Sequence, residues 1–288
     1  MKRVGIIGFG RIGTALAVSL EKCGYEVEVV RRNQKPTKTN PVSGKTFNVI
    51  SLEEAVCKME VIFITTPDDN ISDTALKLAK MDLGCKAVLH MSGSLSSELL
   101  DILREKNIFI GSLHPLQSFP NVEQAVSNFP GSFFTYEGDK ALLPWIKEIV
   151  AQLGGVLKTL PSLEMKVIYH AGAVFVSNYM VALTSLGISC LKRAGFKDDE
   201  AREALLPLMK GTMNNLAGMP PEKALTGPVS RGDAGVIASH LQVLQNELPE
   251  ALPAYCDLAE VLASISEKSG KISAEKKEEL IHLIKGGV

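Results

Sequence analysis

With 288 residues, 45% of them hydrophobic and 22% charged, the chain is long enough for about two domains, each with a full core. Its net charge of −1 supplies no field that calls for nucleic acid or a membrane surface as partner. The five cysteines (Cys23, Cys57, Cys85, Cys190 and Cys256) are scattered; their spacing matches neither a metal site nor a disulfide framework, and free thiols fit a reducing cytosol.

Met1-Lys2 leads directly into a β-branched run, which leaves no room for a secretory leader and predicts a cytoplasmic protein. That run opens the stretch RVGIIGFGRIGTALA at residues 3–17: strand, glycine turn, small-residue helix. Gly8 permits the tight turn, Gly10 lets a pyrophosphate approach the backbone, and Gly13 lets the helix pack close to its strand. The helix N-terminus offers free N–H groups to phosphates. Gly8, Phe9, Gly10, Arg11, Ile12 and Gly13 are therefore cofactor-binding candidates; the bland alternative is a βα turn that binds nothing. Residues 26–30 (EVEVV) predict the second strand. An NAD site carries an acid near its end. Here it ends in Arg31-Arg32-Asn33, and the loop adds Lys35, Lys38 and Lys45. Guanidinium groups bind a 2′-phosphate that a carboxylate would repel, so Arg31 and Arg32 predict NADP. The lysines read as well as a solvated basic loop.

Further strands are predicted over 60–65, 86–91 and 108–113, with weaker ones at 133–136 and 156–160, and helices over 69–80, 96–106 and 139–153. The alternation predicts an α/β Rossmann domain with a doubly wound, mostly parallel sheet over residues 1–160. Strand tips in such sheets line the ligand cleft. They are Thr65-Thr66-Pro67-Asp68, Met91-Ser92-Gly93-Ser94 and Leu113-His114-Pro115, so Thr65, Thr66, Pro67, Ser92 and Gly93 join the cofactor candidates.

Strand signals then stop. Residues 161–288 predict an all-α second domain with helices over 163–193, 198–217, 233–246, 249–268 and 273–285. The apolar stretch 171–191, interrupted by Ser177, Asn178, Thr184 and Ser185, predicts a buried helix rather than a membrane span. On the first helix Lys166 and His170 lie about 40° apart and Asn178 roughly 80° from His170. Either a proton donor for carbonyl reduction or a core histidine between helix-packing Ala and Gly residues fits this pattern. Between later helices, 225–233 (LTGPVSRGD) places Ser230 and Arg231 on a polar turn. Ser92, Ser230 and Arg231 are the substrate-binding candidates. Arg231 suits a carboxylate, or a salt bridge that holds its loop; Ser230 or Asp233 suits a helix cap.

The segments GFGRIGTALA, TTPDDNI, HMSGS, GSLHPLQSF, YHAGAVFVSNYMVAL and LTGPVSRGD, in this order, resemble a bacterial family over nearly the whole length. That family has an N-terminal Rossmann-like NADP-binding domain and a C-terminal helical domain long labelled as of unknown function. Some members act as an alternative ketopantoate reductase. The wider group includes pyrroline-5-carboxylate reductase, prephenate dehydrogenase and the 6-phosphogluconate and 3-hydroxyacid dehydrogenases. The resemblance implies cleft roles for His170, Asn178 and His114, NADP as cofactor, a small-molecule substrate, and a homodimer through the helical domain. The 3-hydroxyacid enzymes carry a lysine with an asparagine one turn on, whereas this chain has Lys166 followed by His170. The choice of proton donor between these two is open. The expected reaction is NADPH-dependent reduction of a small 2-oxo acid, with ketopantoate to pantoate as the leading case. The alternatives are a prephenate/arogenate-like or pyrroline-5-carboxylate reductase-like enzyme, or a non-catalytic NADP sensor.

Overall fold

The computed structural model describes residues 1–31, 37–39, 44 and 46–286. They fall into two compact units, Met1–Ser177 and Asn178–Val288.

The first unit is a nine-stranded sheet with helices. In chain order its elements are β1 (Arg3–Ile7), α1 (Arg11–Lys22), β2 (Glu26–Val30), β3 (Thr37–Thr39), β4 (Thr46–Val49), α2 (Leu52–Lys58), β5 (Val61–Ile64) and α3 (Ile71–Ala79). Then follow β6 (Ala87–His90), a 3-10 segment (Ser97–Lys106), β7 (Phe109–Pro115), α4 (Val122–Asn128), β8 (Phe133–Gly138), α5 (Leu143–Gln152), β9 (Val156–Thr159) and α6 (Leu163–Val176). The strand order is β3-β4-β2-β1-β5-β6-β7-β8-β9. Pairing is parallel from β4 to β7 and between β8 and β9, and antiparallel for β3 with β4 and β7 with β8. The mostly parallel α/β sheet read from the sequence is present. Val61–Ile64 and Ala87–His90 are buried at every residue, as central parallel strands covered on both faces must be. One core packs α1 and α5 on one side (Leu16, Leu20, Ile146), and another packs α3 and the 3-10 segment on the other (Leu78, Leu103).

Strands β3 and β4 and helices α2 and α4 were not predicted, and two predicted helices take another form. Residues 97–106 form 3-10 turns rather than an α-helix. Their buried side chains, Ser97, Leu100 and Leu103, recur every third position, the spacing that lines one side of a three-residue turn. The expected helix over 163–193 is α6 followed by α7 (Asn178–Arg193), with Ser177 between them. The compact units divide there rather than near residue 160, so α6 belongs with the sheet.

The second unit is helical: α7, α8 (Asp198–Gly218), α9 (Pro221–Ala224), α10 (Pro228–Arg231), α11 (Ala234–Glu247), α12 (Leu252–Lys268) and α13 (Ala274–Ile284). Val229, Ile237, Ala263 and Leu280 form its core. The stretch predicted as a buried helix is uncovered in the single chain. None of the apolar window of Leu163–Arg193 is buried, and by length and composition alone it could cross a membrane. Its first turns are tied into the sheet through Lys166, which opposes insertion into lipid. Val176, Val181 and, on α8, Leu208 are 69%, 71% and 67% exposed.

Candidate active site

The glycine turn is built by contacts that only glycine permits. Gly8 adopts φ 92°, and a Cβ there would lie 2.9 Å from the Thr66 nitrogen. A Cβ on Gly13 would collide with the Gly8 carbonyl oxygen and the Thr65 hydroxyl. That hydroxyl donates to the Gly8 carbonyl at 2.5 Å and to Ile7 at 3.2 Å. Gly10 differs: a Cβ there meets nothing within 4 Å. Its backbone faces open space at the start of α1, which has no side-chain cap. The orphan N–H groups of a helix N-terminus therefore face the place where a pyrophosphate would approach.

A cavity of about 520 Å³ extends from this turn, bounded by Gly10, Arg31, Thr66, Asn70 and Lys77 among others. The Thr66 hydroxyl is buried without a hydrogen-bond partner among the described residues, a group left for a ligand to satisfy. The uncapped helix end, the open Gly10 and the orphaned hydroxyl fit a bound dinucleotide. Phe9, Thr65 and Pro67 also line the cavity. The Arg11 guanidinium donates through Nη1 to the carbonyls of Phe119 and Pro120 at 3.1 and 3.3 Å. Ile12 packs against the core. Arg31 is at the tip of β2 in the cavity wall; Arg32, Lys35 and Lys45 lie outside the described residues.

Along the same sheet edge, Asp68 after β5 accepts from the Ser92 hydroxyl after β6 at 2.8 Å. The Ser92 turn is fixed from below by His90, which is fully buried. Its Nδ1 accepts the Ser92 N–H at 3.1 Å, which leaves Nε2 to donate to the Ser96 carbonyl at 3.0 Å. Burial, with the neighbouring Lys166 charge adding to it, pushes its pKa down to about 4, so it is a neutral structural imidazole. Next comes Gly93. A Cβ there would lie 2.8 Å from both His114 Nε2 and His170 Nδ1. The two imidazoles, from the end of β7 and from α6, thus converge above a residue with no side chain. Their ring centroids are 6.3 Å apart. His170 Nδ1 is buried and unpartnered. His114 Nδ1 bonds the Tyr169 hydroxyl at 3.0 Å. Burial, then repulsion from His170 and Lys166, lowers its pKa to about 4.

Lys166 has a different role from the one its helix spacing allowed. It is 1% exposed, and its ammonium donates to the Leu95 carbonyl, the Ser112 hydroxyl and, at 3.3 Å, Glu137. Glu137 also accepts from the Ser97 N–H and hydroxyl at 3.0 and 2.6 Å. Despite burial, those bonds and Lys166 hold its carboxyl below the ordinary carboxylate range. All three ammonium donors are used, so Lys166 is an anchor of α6 and not a free acid.

In the second unit, Asn178 opens α7 with an exposed side chain. Arg231 donates Nε and Nη2 to Asp233, both at 2.8 Å, the salt-bridge alternative for that loop. Ser230 is buried and donates to the Leu225 carbonyl. Tyr169, Asp68, His90 and Glu137 were not singled out in the sequence. Only Asp68 carried a signal, beside Pro67 at a strand tip.

Residues 3–92 match the family model described as NADP oxidoreductase, coenzyme F420-dependent, and residues 132–262 match that of a domain of unknown function, DUF2520. A Thermotoga maritima protein of known structure is 28% identical, with 92% of this chain and 98% of that one covered and a TM-score of 0.73. A provisionally assigned NADP oxidoreductase from Bacteroides fragilis is 24% identical (92% and 97% covered, TM-score 0.68). Pyrroline carboxylate reductase from Plasmodium falciparum, solved with NADP bound, shares the fold at 16% identity (94% and 100% covered, TM-score 0.53). Together with the glycine turn and its cavity, the N-terminal match defines an NADP-binding Rossmann domain of an oxidoreductase.

Proposed function

We propose that this oxidoreductase is a cytoplasmic NADPH-dependent reductase of a small 2-oxo acid, with ketopantoate to pantoate as the leading reaction. The observation that carries the reading is the pair of imidazole nitrogens converging above Gly93, on the sheet edge that continues from the dinucleotide cavity. NADPH supplies the hydride that adds to the carbonyl carbon. His170 gives a proton to the developing alkoxide oxygen, so that C=O becomes CH–OH, and regains a proton from water. His114 is neutral at pH 7, so it acts as a hydrogen-bonding group without charge; Tyr169 fixes its ring. The Ser92 hydroxyl donates to Asp68 and accepts from the Ser94 and Leu95 N–H groups, so it shapes the turn beside the two rings rather than holding the substrate itself. The uncovered apolar faces of α6, α7 and α8 support a homodimer.

A second reading, reduction of a cyclic imine acid such as pyrroline-5-carboxylate, is favoured by the fold shared with pyrroline carboxylate reductase and needs the same hydride geometry. NADPH oxidation against ketopantoate, other 2-oxo acids and pyrroline-5-carboxylate separates the readings. With the true substrate, His170→Ala should lower kcat by about 10²–10⁴ with NADPH affinity unchanged. Full activity of His170→Ala, or no turnover of any of these substrates, would sink the proposal.

A further inference from the structure

The sequence places the charges that read the cofactor's 2′-phosphate in one stretch, at the end of β2. The cavity has a second wall. Asn70, Asp73, Thr74 and Lys77 all line it, and their spacing of three and four places them on one face of α3. The Thr74 hydroxyl is spent on the Asn70 carbonyl at 2.7 Å. Lys77 is exposed and makes no ion pair among the described residues, even with Asp73 one turn away. At about 1.5 Å per residue it lies roughly 10 Å along the helix from Asn70, at the end remote from Thr66. Arg31 borders the same cavity from the tip of β2.

We infer that Lys77 is a second phosphate-reading residue: its ammonium and the Arg31 guanidinium, carried on separate elements, hold the adenosine 2′-phosphate between them. This rests on the assignment of the cavity to NADP. A guanidinium supplies the planar, directional contact, and an ammonium on a flexible stem supplies a point charge that reaches. Asp73 reduces the net positive charge of the wall, so loss of one cation leaves the carboxylate to oppose the phosphate. Cofactor discrimination should therefore depend on Lys77 although it lies far in sequence from the second strand.

The test measures dissociation constants of NADPH and NADH by nucleotide fluorescence, and of 2′,5′-ADP and 5′-AMP by competition, for the unmodified protein, Lys77→Ala, Lys77→Glu and Arg31→Ala. The unmodified protein should bind NADPH at least tenfold tighter than NADH. Lys77→Ala should weaken NADPH and 2′,5′-ADP about tenfold or more, the order of one charge-assisted contact, and leave NADH and 5′-AMP within twofold. Lys77→Glu should abolish the preference. If Lys77→Ala leaves all four unchanged, or weakens them equally, while the unmodified protein prefers NADPH, the role of Lys77 is refuted and the NADP assignment stands. Equal binding of NADPH and NADH by the unmodified protein refutes both.

Discussion

Lys166 and His170 are one helical turn apart and were equal candidates for one task, yet their surroundings assign them different ones. An ammonium that satisfies a carbonyl, a hydroxyl and a carboxylate in the interior has no donor left to give. Removing it leaves Glu137 charged, largely shielded from water and short of its counter-ion. Lys166→Met should therefore cost about 3–5 kcal/mol of stability by urea unfolding, and the double variant with Glu137→Gln should cost less than that single change. A stable Lys166→Met protein with unaltered unfolding would show that the anchor is dispensable. His170 could be singled out from its sequence neighbourhood of small residues. Its partner ring, and the emptiness at Gly93 between them, could not, because three segments far apart in sequence meet there. Tyr169 was hidden for the same reason: its hydroxyl acts on a histidine 55 positions away.

At the scale of elements, local pattern was a good guide wherever burial was uniform. The apolar runs at 60–65 and 86–91 became β5 and β6 within a residue or so of each predicted end. It was a poor guide to the short strand β4 and to the turn after β6, where polar groups do the ordering. That turn hangs on His90. Its imidazole titrates near 4 in the folded protein against an ordinary 6.5, so the unfolded chain takes up the proton first as pH falls. The stability it confers is complete above pH 6.5 and is lost progressively toward pH 4, with a slope of about 1.4 kcal/mol per pH unit from this group. His114 adds a contribution of the same sign. Urea midpoints at pH 7, 6 and 5 should fall in that order. His90→Asn should begin lower at pH 7 and fall less steeply; an identical slope would exclude His90 as a source.

For the whole molecule, the change from strand to helix signals was legible, but the seam between the compact units at Ser177 was not. It follows contacts of α6 with the sheet, which periodicity does not report. The uncovered faces of α6, α7 and α8 belong to the proposed assembly. Light scattering at micromolar concentration should give the mass of two chains, and Val181→Glu, at a position 71% exposed in the single chain, should shift it toward one. A monomer in the unmodified protein contradicts the homodimer.

The division at Ser177 also bears on how the proposed site is put together. The glycine turn, Ser92, His114 and His170 are all carried by the unit that ends there. Their spacing is set when that unit folds, so the proposed site is preorganised by folding rather than gathered around its ligand.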